Sequence, residues 1–315
     1  MLVYEHHPQL RDFMSAAQAF LKRNNLPQAY LQSAQQWFDP LLQQFADSYQ
    51  PHNGPQLIGI NGSQGSGKST LADYLCSMIS ERHSIRSINL SMDDFYLTRA
   101  ERHQLGQTIH PMLATRGVPG THDIDLMIAT IDSLVAGQTT VIPRFDKSID
   151  DRADGSLAEK VTEPVGLIVI EGWCLGARPI PADKLAKPIN ELEQAEDSQG
   201  IWRNYVNLAL AGDYQKLHAL IDQLVMLQAP SFNTVFAWRL EQEQKMVARL
   251  ERSAGQSDRQ PGDKIMNERE IRGFIQHFQR ITEQTLAEMP QRAQHLYQLT
   301  ESREISNYSQ PSPSN

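Results

Sequence analysis

The chain has 315 residues, 40% hydrophobic and 7% aromatic, with 29 lysines and arginines against 37 aspartates and glutamates and a formal charge of −8. This is ample chain for one large or two small cores, and the composition excludes collagen-like, mucin-like and wholly disordered readings. A pI near 5.7 argues against bulk-charge binding of nucleic acid. Two cysteines cannot build a disulfide framework and point to the cytoplasm, the opening MLVYEHHPQLRDF does not read as a secretory signal, and the apolar run VGLIVI at 165–170 is far too short to span a bilayer. Residues 1–52 predict a polar, amphipathic helical extension that ends at the Pro and Gly residues of 51–55. Residues 57–60 (LIGI) predict a strand running into a Gly-rich turn, and Leu71, Leu75, Met78 and Ile79 then recur at helical spacing. Further strands are expected at 85–90, 139–142, 165–170 and, more weakly, 224–227. The third of these, apolar without alternation, reads as covered on both faces, as in a parallel sheet. Helical patterns at 123–136, 200–210, 234–252 and 268–288 separate the strands. Alternating strands and helices predict an α/β fold with a doubly wound, mostly parallel sheet and right-handed crossovers. That domain is expected over 53–300, with a helical insertion at 178–222 and an exposed loop at 255–263. Residues 301–315, rich in Ser, Pro and Asn, are expected to form a disordered tail.

Gly62, Ser63, Gln64, Gly65, Ser66, Gly67, Lys68, Ser69 and Thr70 together fit G-x-x-x-x-G-K-[ST], between an apolar strand and an amphipathic helix. The glycines let backbone N–H groups turn inward around a phosphate, and the helix start adds its positive dipole end. Lys68 is a mobile cation for the β- and γ-phosphates, and the Ser69 hydroxyl is placed to ligate Mg²⁺. A P-loop NTPase fold is therefore expected. The Asn/Thr-Lys-x-Asp segment of guanine-specific proteins is absent from the sequence.

Ligands of open α/β sheets bind beyond the carboxyl ends of the strands. Two acidic positions fall there: Asp93 with Asp94, after the second strand, and Glu171, directly after 165–170. Phosphoryl transfer to a hydroxyl uses one carboxylate to accept the hydroxyl proton and one to organise the metal. Asp93 is expected to be the base and Glu171 the metal-side carboxylate; Asp94, the adjacent residue, is expected to point elsewhere. Arg116 suits bidentate clamping of a carboxylate. Thr121, His122 and Asp123 add a hydroxyl, an imidazole and a carboxylate just before a helix, where Thr121 or Asp123 can instead serve as its cap. The cations Arg144 and Lys147 follow a strand and suit anionic groups of donor or acceptor.

The order of these motifs, the loop at 62–70, then SMDDFY at 91–96, then IEG at 170–172, resembles the phosphoribulokinase, uridine kinase and pantothenate kinase group. Within it, DDFYLT at 93–98, RGVPGTHD at 116–123, PRFDKS at 143–148, VIEGWCLG at 169–176 and APSFNTVFAWRLEQEQKM at 229–246 resemble the plant-type D-glycerate 3-kinase family. MNEREIRGFIQHF at 266–278 is a weaker echo. The resemblance implies a kinase using ATP and Mg²⁺, with D-glycerate as acceptor and 3-phosphoglycerate as product. It also implies that 116–123 covers the acceptor pocket, that Tyr96 lies in it, and that Arg239 sits on a helix over the nucleotide. The stretch SIDDRAD at 148–154 is shorter and more acidic than the family pattern. Two alternatives remain on the residues alone: a kinase for a nucleoside or sugar phosphate, and a regulatory ATPase without a small acceptor. No nucleic-acid or membrane partner is expected.

Overall fold

The computed structural model describes residues 8–155, 157–253 and 268–311. Two helices, α1 (Pro8–Arg23) and α2 (Tyr30–Ser48), precede the sheet. In chain order there follow β1 (Gln56–Gly62), α3 (Lys68–His83), β2 (Ser87–Ser91), α4 (Arg99–Thr108), α5 (Ile124–Val135), β3 (Thr140–Ile142), β4 (Phe145–Asp146), β5 (Asp151–Arg152), β6 (Glu159–Val161) and β7 (Leu167–Gly172). The second half comprises α6 (Ala182–Leu185), α7 (Glu191–Glu196), α8 (Ile201–Ala211), α9 (Asp213–His218), β8 (Gln223–Gln228), α10 (Phe232–Ser253), α11 (Glu268–Glu288), β9 (His295–Leu299) and β10 (Ile305–Ser309).

Six strands form the main sheet in the order β10-β9-β8-β1-β7-β2, and only the β9–β10 pair is antiparallel. The mostly parallel, doubly wound sheet follows from the alternation of strands and helices. The central strand β7 is apolar throughout because both faces are covered: Leu167 to Ile170 are all buried. Register then sets the site. Glu171 of β7 stands level with Ile60 of β1 on one side and Ser91 of β2 on the other, so three strands deliver their carboxyl ends to one place.

The extension is helical, as its pattern predicts, and it is not a loose appendage. Phe20, Leu31, Phe38, Leu41, Leu42 and Phe45 are buried in the same core as β1 and β7. The segment 178–222 is also helical, and a buried ion pair fastens it: Arg280 of α11 donates to Glu193 of α7 at 2.8 Å and to the carbonyl of Lys187 at 2.7 Å.

Two expectations need correction. The strand expected at 139–142 does not join the main sheet; β3 pairs antiparallel with β6 in a separate two-stranded sheet, in which Val141 faces solvent at 58% exposure while Thr140 and Ile142 turn inward. The expected disordered tail instead carries β10, which pairs with β9 as the sheet edge. Tyr308 packs its ring 4.7 Å from that of Tyr297, so a polar stretch is held by its one aromatic residue. The loop expected at 255–263 lies outside the described residues. Among the described residues, no helix is long and apolar enough to cross a membrane.

Candidate active site

The loop at 62–70 closes between β1 and α3. Gly65 and Gly67 lie at φ +80° and +91°, a conformation that L side chains rarely adopt, and a Cβ on Gly65 would stand 2.8 Å from Trp238 Cβ. Ser66 N–H donates to the Ser63 carbonyl at 3.1 Å, which tightens the turn. Ser63 Oγ, Gln64 Oε1 and Ser66 Oγ are buried there without a hydrogen-bond partner. Buried polar atoms left unpaired in this way cost free energy unless a ligand completes them.

Beside the loop, Glu171 is 3% exposed and holds three groups. Its Oε1 accepts from Ser69 Oγ at 2.8 Å and from Ser91 Oγ at 2.9 Å, and its Oε2 lies 3.6 Å from Lys68 Nζ. Oε2 has no hydrogen bond of its own. An unfilled carboxylate oxygen next to a loop hydroxyl fits a hard divalent cation such as Mg²⁺, which takes one or two protein oxygens and completes its shell with phosphates and water. Among the described residues, no group of three or more His, Cys, Asp or Glu forms a closed cage.

Asp93 sits in the short 3₁₀ turn Met92–Phe95 that follows β2, capped by Ser91. Its Oδ2 accepts from Lys147 Nζ at 2.6 Å and its Oδ1 from the Tyr96 hydroxyl at 2.7 Å. Burial pushes this carboxyl up, but the charges of Lys147 and Lys68 outweigh it and hold Asp93 well below the ordinary carboxylate range. Asp94 points away and clasps the β4 hairpin, accepting from Arg144 at 2.8 Å and from Phe145 N–H at 3.2 Å. The two adjacent acids therefore meet different partners.

The other expected acceptor groups gather around Tyr96. The His122 ring stacks on Tyr96 at 4.6 Å, and the Arg116 guanidinium lies 5.5 Å from the centre of Phe145, whose ring meets Tyr96 at 5.2 Å. His122 Nδ1 is 2.5 Å from the Tyr214 hydroxyl, which accepts from Gly120 N–H at 3.1 Å. The imidazole tautomer decides which of the two donates, and His122 Nε2 is buried without a partner. Burial pushes the imidazole down to about 4, against the opposing pull of Asp93. Thr121 is fully buried, and its hydroxyl donates to the Val118 carbonyl at 2.7 Å and accepts from Gly117 N–H at 3.0 Å, so it shapes the loop. Asp123 caps α5 through Leu126 N–H at 3.0 Å and pairs with Arg152 at 2.5 Å. Arg116 pairs with Asp150, and Arg144 bridges Asp94 and Glu159.

Arg239 stacks over Phe274 at 5.8 Å. The α10 side chain that lines the cavity beside the loop is Gln242, three residues on. Sequence reasoning missed Ser91, Tyr214 and Arg303. Ser91 was legible: two residues before Asp93 at a strand end, it shares the face that meets Glu171. Tyr214 and Arg303 reach the site from distant elements; Arg303 Nε donates to the Gly65 carbonyl at 3.0 Å from the β9–β10 turn.

A strand, a phosphate loop and a helix, with one acid at the tip of β7 and another in the turn after β2, define a P-loop phosphotransferase. The family model for the phosphoribulokinase / uridine kinase family matches residues 57–176. An uncharacterized kinase of Schizosaccharomyces pombe is 32% identical over 250 residues, covering 76% of this chain and 84% of that protein. The chloroplastic D-glycerate 3-kinase of Arabidopsis thaliana is 33% identical over 222 residues, covering 66% of this chain and 45% of that protein. The solved structure of D-glycerate 3-kinase from Cryptococcus neoformans superposes with a TM-score of 0.70 at 24% identity, covering 90% of this chain and all of that one. The chain belongs to the phosphoribulokinase / uridine kinase family of P-loop kinases.

Proposed function

We propose that this kinase moves the γ-phosphoryl group of ATP to a hydroxyl of a small carboxylate, D-glycerate, giving 3-phosphoglycerate. The observation that carries the reading is the Asp93–Lys147 pair at 2.6 Å: a base and an anion-binding cation stand together beside Lys68. The names of the two D-glycerate 3-kinases support the choice of acceptor.

Loop N–H groups and Lys68 bind the triphosphate and take up the charge on the β- and γ-phosphates. Ser69 and Glu171 would hold Mg²⁺, which when bound would neutralise phosphate charge. Arg116, Lys147 and Arg144 orient the acceptor through its carboxylate, and Tyr96 and His122 Nε2 line its hydroxyls. The acceptor oxygen bonds to the γ-phosphorus as the bond from phosphorus to the β–γ bridging oxygen breaks. The hydroxyl proton passes to Asp93, and ADP leaves. Asp93 stays ionised throughout the physiological range, and its low basicity suits a loose transition state in which the hydroxyl proton is released late. When the acceptor carboxylate draws Lys147 away, the depression of Asp93 is relieved and the base strengthens.

A coupled assay of ADP release with a panel of acceptors tests the reading. D-Glycerate should stimulate release most. Stimulation only by nucleosides or pentose phosphates would reassign the acceptor, and release indifferent to every acceptor would replace the kinase with a regulatory ATPase.

A further inference from the structure

A separate cavity of about 350 Å³, within the usual size of a small-molecule site, opens at the amino end of β8. Leu224 in its wall is level with Gly59 of β1, and Leu227 is level with Gly62. The wall therefore stands three residues, about 10 Å, back from the start of the phosphate loop. Among the described residues that line it there is no member of the loop at 62–70, none of the groups placed around the acceptor, and no aspartate or glutamate.

Its polar groups come from three elements: Arg178 from the stretch after β7, His218 from the end of α9, and Arg292 with Gln294 from the link between α11 and β9. Arg292 is fixed by its own partners. Its Nε and Nη2 donate to the two Glu288 oxygens at 2.6 Å each, and Nη2 also holds the Gly176 carbonyl. A planar fork held on that side presents Nη1 on the other, and Nη1 makes no hydrogen bond to a described residue. Gln294 Oε1 accepts from Leu224 N–H at 2.7 Å, which fixes the amide and leaves Nε2 with no bond to a described residue. Arg178 is exposed and has neither hydrogen bond nor ion pair to a described residue. Glu288 matches the charge of Arg292, so the unmatched charge here is that of Arg178. Burial, and then the charge of Arg292, push the His218 imidazole down to about 3, so that ring is neutral, and its Nε2 is buried without a partner. In a chain of net charge −8 this is a local reversal of sign. Two guanidiniums and an amide offer more donors than the two oxygens of a carboxylate take up, and they suit the three terminal oxygens of a phosphate monoester.

We infer that Arg178, Arg292 and Gln294 form a second anion site, for the phosphate group of a small phosphate monoester, apart from the nucleotide and the acceptor. The experiment titrates inorganic phosphate into the full chain by calorimetry, with Mg²⁺ and a non-hydrolysable ATP analogue at saturation so that the phosphate loop is filled. Wild type should bind phosphate, and acetate at least tenfold more weakly. Arg178→Ala, at an exposed position without a partner, should weaken phosphate about tenfold or more, the worth of a charge-assisted hydrogen bond. Gln294→Glu keeps the oxygen that Leu224 N–H needs and sets a negative charge among the donors, so it should abolish phosphate binding while the thermal midpoint stays near that of wild type. Lys147→Ala should leave phosphate binding unchanged. No phosphate binding by wild type, binding that survives either cavity variant, or binding lost in Lys147→Ala and kept in Arg178→Ala overturns the site. Acetate bound as tightly as phosphate overturns the phosphate assignment.

Discussion

On the nucleotide side of the candidate site, polar atoms stand without partners; on the acceptor side, the charges are already matched to one another. Ser63 Oγ, Ser66 Oγ and Glu171 Oε2 are buried and unfilled, so the loop is organised for a ligand before one arrives. Asp93 pairs with Lys147, Arg116 with Asp150, Arg144 with Asp94 and Glu159, and Arg152 with Asp123. On the proposed reading, an acceptor has to open such pairs to enter. The comparison teaches that, on the proposed reading, donor binding draws on preorganisation, whereas acceptor binding is an exchange of ion partners. That exchange offers a route to selectivity, because only an anionic acceptor returns to Lys147 and Arg116 what it takes from them.

The predictions sharpen this contrast, largest effect first. Lys68→Ala removes the cation shared by both sides and should lower kcat about 10²- to 10³-fold with the fold intact by circular dichroism, the usual scale for one group stabilising transition-state charge. Asp93→Asn should lower kcat about 10²-fold or more and leave the ATP dissociation constant unchanged; an unchanged kcat would remove Asp93 from the role of base. Lys147→Ala should raise the KM for the acceptor and not that for ATP, which separates the two sides directly. Arg303→Gly, compatible with the φ of +68° at that position, should raise the KM for ATP about two- to tenfold, the worth of one hydrogen bond to the Gly65 carbonyl.

The buried imidazole adds a pH test. His122 is held at about 4, below the ordinary value near 6.5, so its folded-state pKa is depressed. The neutral ring contributes stability above about pH 6.5, and that contribution is lost as pH falls from there toward 4, because the unfolded state binds the proton first. His122→Gln should therefore reduce the proton uptake on unfolding near pH 5 by about one proton, measured from the pH dependence of thermal unfolding.

Much of the nucleotide side was legible in the sequence because it is local. The loop fits within nine residues at 62–70, and Asp93 and Glu171 mark strand ends that register brings level. The residues proposed for the acceptor were read as chemistry and not as geometry: no short-range pattern says that Asp150 will meet Arg116 or that Tyr214 will reach His122 across 92 residues. Thr121 offered a hydroxyl that a substrate could use, but its loop consumes it. The sheet edge was hidden for a related reason. In β9 His295 lies within hydrogen-bonding range of Gln223 and Tyr308, and β10 is polar apart from Ile305 and Tyr308, so specific side-chain bonds replace the apolar run that marks β7.

The central claim is that a triphosphate on this loop faces Asp93 across an acceptor hydroxyl. The most direct measurement follows the label from γ-³²P ATP in the presence and absence of D-glycerate. Label should appear on the 3-hydroxyl of glycerate with the wild-type protein and fall with Asp93→Asn. Label released only as inorganic phosphate, at one rate with or without glycerate and in both proteins, would contradict the claim.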